Sequence, residues 1–144
     1  MKKTIAFIFT IALAFSACNK DNNTIKPSNS ICDFETIVSS VAYRDAPLDY
    51  LVINSLEIID DCLVVAFSAS GCDGNTWVVK LVDSEEIFES YPPQRNLKLS
   101  LSNQEDCEAF ITKEMSFDIS NLQVDGNQVL LNITNAEENI LYEY

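Results

Sequence analysis

The stretch Asn96-Leu97-Lys98-Leu99-Ser100-Leu101-Ser102 decides the fold class. Its leucines fall at every second position, the period of a strand with one face on a core and the other in water, and not the 3.6-residue period of a helix. Met115, Phe117 and Ile119 repeat the pattern against Ser116, Asp118 and Ser120, and Val129, Leu131 and Ile133 repeat it opposite Asn132 and Thr134. The same reading predicts strands at 36–43, 50–59, 62–70, 75–82, 85–91, 107–112 and 139–144. Segment 62–70 is apolar on both faces at its start, which predicts a central strand. No segment of about ten residues or more carries a convincing amphipathic helix.

Turn chemistry separates these runs. Ser70-Gly71-Cys72-Asp73-Gly74-Asn75 supplies two glycines that can adopt positive φ. Asp125-Gly126 stands between 117–124 and 128–134 and predicts a hairpin. Pro92-Pro93 cannot donate to a ladder, divides 85–91 from 94–102, and makes an X–Pro bond there a candidate for the cis form. Many short strands joined this way predict an all-β domain over residues 32–144, an antiparallel, immunoglobulin-like β-sandwich of about 7–9 strands.

Composition narrows the chemistry. At 144 residues the chain has room for one domain. It holds no histidine, which removes the commonest general base, its nucleophile pairs and the commonest zinc ligand. Its three glycines form no phosphate-binding loop. A formal charge of −13 argues against nucleic acid and against adsorption of the folded part to an anionic membrane. No catalytic residue and no cofactor emerges.

Residues 1–17, MKKTIAFIFTIALAFSA, place two lysines before an apolar run too short for a membrane span, which predicts a signal peptide. Ser16-Ala17-Cys18 resembles the lipobox of bacterial lipoproteins, with Phe15 where that motif usually carries leucine. The resemblance implies cleavage before Cys18 and acylation of its thiol, with the membrane then a partner through the lipid. Asn19 after the cysteine favours the outer membrane. Residues 18–31 are polar, contain Pro27, and are expected to be the lipidated cysteine and a flexible tether. The mature chain would carry seven basic and 22 acidic residues.

Cys32, Cys62, Cys72 and Cys107 remain, an even count that favours disulfides in an exported chain. The preferred pairs are Cys32–Cys62 and Cys72–Cys107, each closing a loop of about 30 residues, for roughly 3–4 kcal/mol per bridge. The rival is Cys62–Cys107, because Cys62, Trp77 and Cys107 follow the Cys…Trp…Cys order of immunoglobulin domains. Glu105, however, stands where the tyrosine-corner residue would be. Spacing and the lack of histidine give no metal set beyond Asp73 and Asn75, oxygen donors in a turn that could hold calcium.

Three residues are candidates for binding. Trp77 is a core residue or an aromatic platform for a sugar. Tyr91-Pro92-Pro93-Gln94-Arg95 is a rigid crossover or an exposed recognition edge anchored by Arg95.

From Cys32 onward, Ser70-Gly71-Cys72, Glu89-Ser90-Tyr91-Pro92-Pro93-Gln94, Cys107-Glu108-Ala109 and Phe117-Asp118-Ile119-Ser120 resemble a group of small, uncharacterised lipoproteins of Gram-negative bacteria. The resemblance implies a cell-envelope location and a compact β fold, and it supports the Cys72–Cys107 bridge. It implies no catalytic residue. The expected function is a non-enzymatic binding or interaction module anchored in the cell envelope, with an unknown protein or glycan partner. The alternatives are an inhibitor of a cationic extracellular hydrolase, such as a lysozyme or protease, and a glycan-binding accessory protein.

Overall fold

A computed structural model describes residues 32–144; the expected signal peptide 1–17, the lipidation site Cys18 and the tether 18–31 lie outside the described residues. The alternating leucines form strand β6 (Gln94–Ser102), where Leu97, Leu99 and Leu101 are fully buried. Burying each such side chain contributes roughly 1.5–3 kcal/mol relative to leaving it in water. β6 sits inside a five-stranded sheet, flanked by β5 (Val78–Phe88) and β8 (Gln128–Ile133), with β2 (Ile37–Val38) and β9 (Ile140–Glu143) at its edges. A second sheet of four strands runs in the order β1 (Phe34–Glu35), β7 (Ala109–Asp118), β4 (Cys62–Gly71) and β3 (Val52–Ile59). The inward faces of both sheets share one core, in which Leu63, Phe67 and Phe117 meet Leu81, Leu131 and Tyr142.

The all-β sandwich matches expectation, and β4, the double-sided strand, is internal to its sheet. Both sheets are mixed, and not wholly antiparallel as expected: β1 pairs with β7, β2 with β5 and β6 with β8 in parallel. Parallel partners require crossovers, and Asp125-Gly126 lies in one of them. The expected hairpin does not form. Asp118 Oδ1 accepts the Ser120 N–H at 2.8 Å and ends β7, a 3-10 turn at Ser120–Leu122 buries Leu122, and the chain passes to the other sheet.

Segment 36–43 is not one strand. After β2 the chain enters a short helix, α1 (Ser40–Asp45), because Ser39 Oγ accepts the Ala42 N–H at 3.2 Å and caps its start. Glu85 carboxylate accepts both the N–H and the hydroxyl of Ser40 at 3.1 Å, at the same helix end. The helix and the residues after it cover the outer face of β6. There Lys98 Nζ donates to the Tyr43 carbonyl and lies 4.4 Å from the centre of the Tyr43 ring, and Ser100 Oγ donates to the Pro47 carbonyl at 2.7 Å. The polar side of the founding heptad, which periodicity assigns to water, is therefore buried at Lys98 and Ser100.

Two pairs of expected strands are fused. Segments 107–112 and 115–119 belong to β7, and 75–82 and 85–91 belong mostly to β5. The break in β5 is a bulge: pairing with β6 is interrupted between Asp83 and Ile87, and Glu85 adopts φ +67°.

Candidate binding surface

The two bridges form as preferred, Cys32–Cys62 and Cys72–Cys107. The rival Cys62–Cys107 pair is excluded, and with it the immunoglobulin-type packing of Trp77 on an inter-sheet bridge. Trp77 is 8% exposed and stacks obliquely on Phe67, with ring centres 6.2 Å apart. It is a core residue, and its indole offers no platform for a sugar.

The glycine turn at 71–76 has the polarity opposite to a cation site. Its backbone amides converge on one carboxylate: Cys72, Asp73 and Gly74 donate to Glu105 Oε2 at 2.6, 3.2 and 3.0 Å, and the Thr76 hydroxyl donates to Oε1 at 2.8 Å. Successive N–H groups in a tight turn make such a concavity for anions, and here the chain fills it with its own side chain. Desolvation works to raise the Glu105 pKa, and the hydrogen bonds from Thr76, Gly74 and Cys72 outweigh it, holding the carboxyl at about 2 against an ordinary 4.5. Asp73, read as a calcium ligand, instead accepts the Asn75 N–H at 2.9 Å. No set of three metal-ligating side chains converges among the described residues. Gly74 has φ +67°, and a Cβ there would press on the Trp77 ring at 3.1 Å and displace the Lys113 side chain, so glycine is favoured.

Arg95, expected to be an exposed anchor, lies inside the sandwich. Its Nε donates to Asp83 Oδ2 at 3.0 Å and its Nη2 to Asp83 Oδ1 at 2.6 Å. The side chains are 6% and 0% exposed. On β6 Arg95 follows the inward register of Leu97, and on β5 Asp83 follows the inward alternation of Val79 and Leu81. Tyr91 keeps the exposure expected of it, at 94%, and the Tyr91–Pro92 bond is cis. With exposed Ile87 and Phe88, and with Glu86 and Glu89, it forms an apolar, acid-rimmed hairpin tip.

Residues 32–144 contain five cations, Arg44, Lys80, Arg95, Lys98 and Lys113, against 21 acids. Arg95 is paired with Asp83, Lys98 is buried under Tyr43, Lys113 Nζ donates to the Gly74 carbonyl at 2.6 Å, and Arg44 is paired with Asp45. Only Lys80 offers an exposed ammonium without a partner among the described residues. Burial removes two cations, Arg95 and Lys98, and two acids, Asp83 and Asp118, so the surface keeps the whole acidic excess of the composition. Pairing by sequence could not show this, since Arg95 and Asp83 meet only across two strands.

No protein-family model matches the chain, and no curated protein does. Solved structures do. A DUF1344 protein of unknown function from Bacteroides vulgatus superposes with a TM-score of 0.51 at 19% identity, over 77% of this chain and 56% of that one. A NigD-like immunity protein from Bacteroides caccae gives 0.57 at 15% identity, over 75% and 58%. A Parabacteroides distasonis protein described as toxin-related gives 0.50 at 15%, over 76% and 60%. The chain thus spans less than two thirds of each of these proteins, and the likeness shows a shared fold.

Proposed function

We propose that this protein is a non-enzymatic binding module, displayed on the cell envelope through a lipid on Cys18, whose partner is a cationic protein. The observation that supports it most is the acidic excess of the described residues, 21 acids against five cations, of which Arg95 and Lys98 are buried and the exposed Arg44 is paired with Asp45, which leaves a predominantly anionic surface. A surface of one sign accelerates encounter with the opposite sign and suppresses other partners. The Tyr91 tip adds an apolar contact inside that field, and aromatic residues are favoured anchors of protein interfaces. One solved neighbour is named an immunity protein, in line with a role exerted by binding. A cationic hydrolase, lysozyme or protease, is the partner class that suits a surface of this charge. The glycan-binding alternative loses its best platform with Trp77 in the core.

The test is capture of cationic hydrolases by the purified protein at 50 and 300 mM salt. Retention that collapses at the higher salt is expected. Turnover of a substrate by the protein itself, or no salt-sensitive partner, overturns the proposal.

A further inference from the structure

The outer strand of the four-stranded sheet is β3, Val52-Ile53-Asn54-Ser55-Leu56-Glu57-Ile58-Ile59, and it pairs with β4 alone among the described residues. An edge strand directs alternate N–H and C=O groups away from its one partner, and exported proteins usually mask such an edge with lysine, proline or a covering loop. β3 carries no lysine or proline, and its one irregularity is the bulge at Ile53/Ser55. Its single charge is Glu57, and Val52 and Ile59 are 38% and 52% exposed.

Alongside this edge runs a groove of about 340 Å³, banked on one side by Ile53, Asn54, Ser55 and Leu56 and on the other by residues of the β8–β9 turn, including Glu137 and Glu138. Both glutamates are exposed, and no ion pair engages either of them or Glu57 among the described residues. The groove therefore combines an unfilled hydrogen-bonding edge, a mainly polar lining interrupted by the half-buried Ile53 and Leu56, and carboxylates on its rim and along the strand.

The geometry points to β3 as a site of strand addition, which takes an extended, lysine- or arginine-bearing segment of a partner protein. This rests on the reading of the partner as cationic and adds how it is held: main-chain pairing supplies affinity, and alternate side chains meet the carboxylates. A second copy of this chain is the wrong occupant. Two edges meeting would bring the carboxylates Glu57, Glu137 and Glu138 of each copy together without a counter-charge.

The probe is a ten-residue peptide alternating lysine and valine, labelled at one end and titrated against the full chain by fluorescence anisotropy at 50 mM salt. Two further peptides carry N-methyl groups on the odd or on the even amides, which keeps charge and removes one hydrogen-bonding edge at a time. One methylated peptide is expected to bind at least about tenfold more weakly than the other, the loss that corresponds to roughly one or two hydrogen bonds. Hydrogen exchange of amides 52–59 slows in the complex, and Glu137→Gln with Glu138→Gln weakens binding about fivefold, as expected for two exposed charge contacts. Equal binding of both methylated peptides, or protection located away from β3, overturns the strand-addition site. If cationic hydrolases are captured with unchanged exchange at 52–59, the cationic-partner reading stands and the edge is refuted; if neither peptide nor hydrolase binds, both fall.

Discussion

Replacing Asp83 with alanine is expected to cost more stability than any exposed substitution in this domain. Asp83 accepts two guanidinium hydrogen bonds from Arg95 and, through Oδ1, the Glu85 N–H at 2.8 Å. Removing its carboxylate leaves a cation that is 6% exposed without a counter-charge and a bulge amide without an acceptor. Breaking a buried pair at one end costs about 3–5 kcal/mol, and the orphaned amide adds roughly 1 kcal/mol. With a urea m-value of about 1.5–2 kcal/mol/M for a domain of this size, the midpoint should fall by about 2–4 M, followed by the fluorescence of Trp77. The complementary variant Asp83→Leu with Arg95→Met removes both charges and should lose only about 1–2 kcal/mol, because no ion is stranded. A double-mutant cycle separates the pair energy from the packing changes. If Asp83→Ala and Arg95→Met each lose less than about 1 kcal/mol, the pair is not the internal element described here, and Arg95 returns as a candidate contact for a partner.

Acid should loosen the glycine turn late. Glu105 has a folded pKa of about 2, below its ordinary 4.5, so its contribution to stability is complete above pH 4.5 and is lost as pH falls through about 2. Glu105→Gln should abolish that step in a pH series of thermal melts, and an unchanged acid limb would refute the role of the carboxylate. Removing either bridge, as Cys32→Ser with Cys62→Ser or Cys72→Ser with Cys107→Ser, should cost about 3–4 kcal/mol, because the loops are 30 and 35 residues long; equilibrium unfolding of the two double variants measures it. Trp77 emission should be blue-shifted and resistant to acrylamide, and quenching as efficient as that of free tryptophan would contradict its burial.

The sequence made the β class legible because an alternation such as Leu97-Leu99-Leu101 allows one backbone period only. The disulfide pairing was a preference among alternatives that proximity in the fold decided. Fold-level likeness to the Bacteroides and Parabacteroides proteins appeared only in three dimensions, at identities of 15–19%. Residues whose roles depend on distant partners are not legible in sequence for that reason. Arg95 looks exposed because nothing nearby in sequence neutralises it, and its partner Asp83 is 12 positions away on the next strand. Asp73 looks like a metal ligand because side-chain oxygens are visible in sequence and the inward direction of backbone amides is not.

Periodicity by itself determined that this chain buries alternate side chains between two sheets, since burial of apolar surface is a property of each strand's own pattern. Which strands are neighbours, which edge is left open and which charges are consumed inside depend on contacts between segments far apart in the chain. Only the tertiary structure decided that four cations turn away from solvent exposure or pair locally, that Glu105 fills the anion-binding turn, and that β3 keeps one row of backbone groups unpaired.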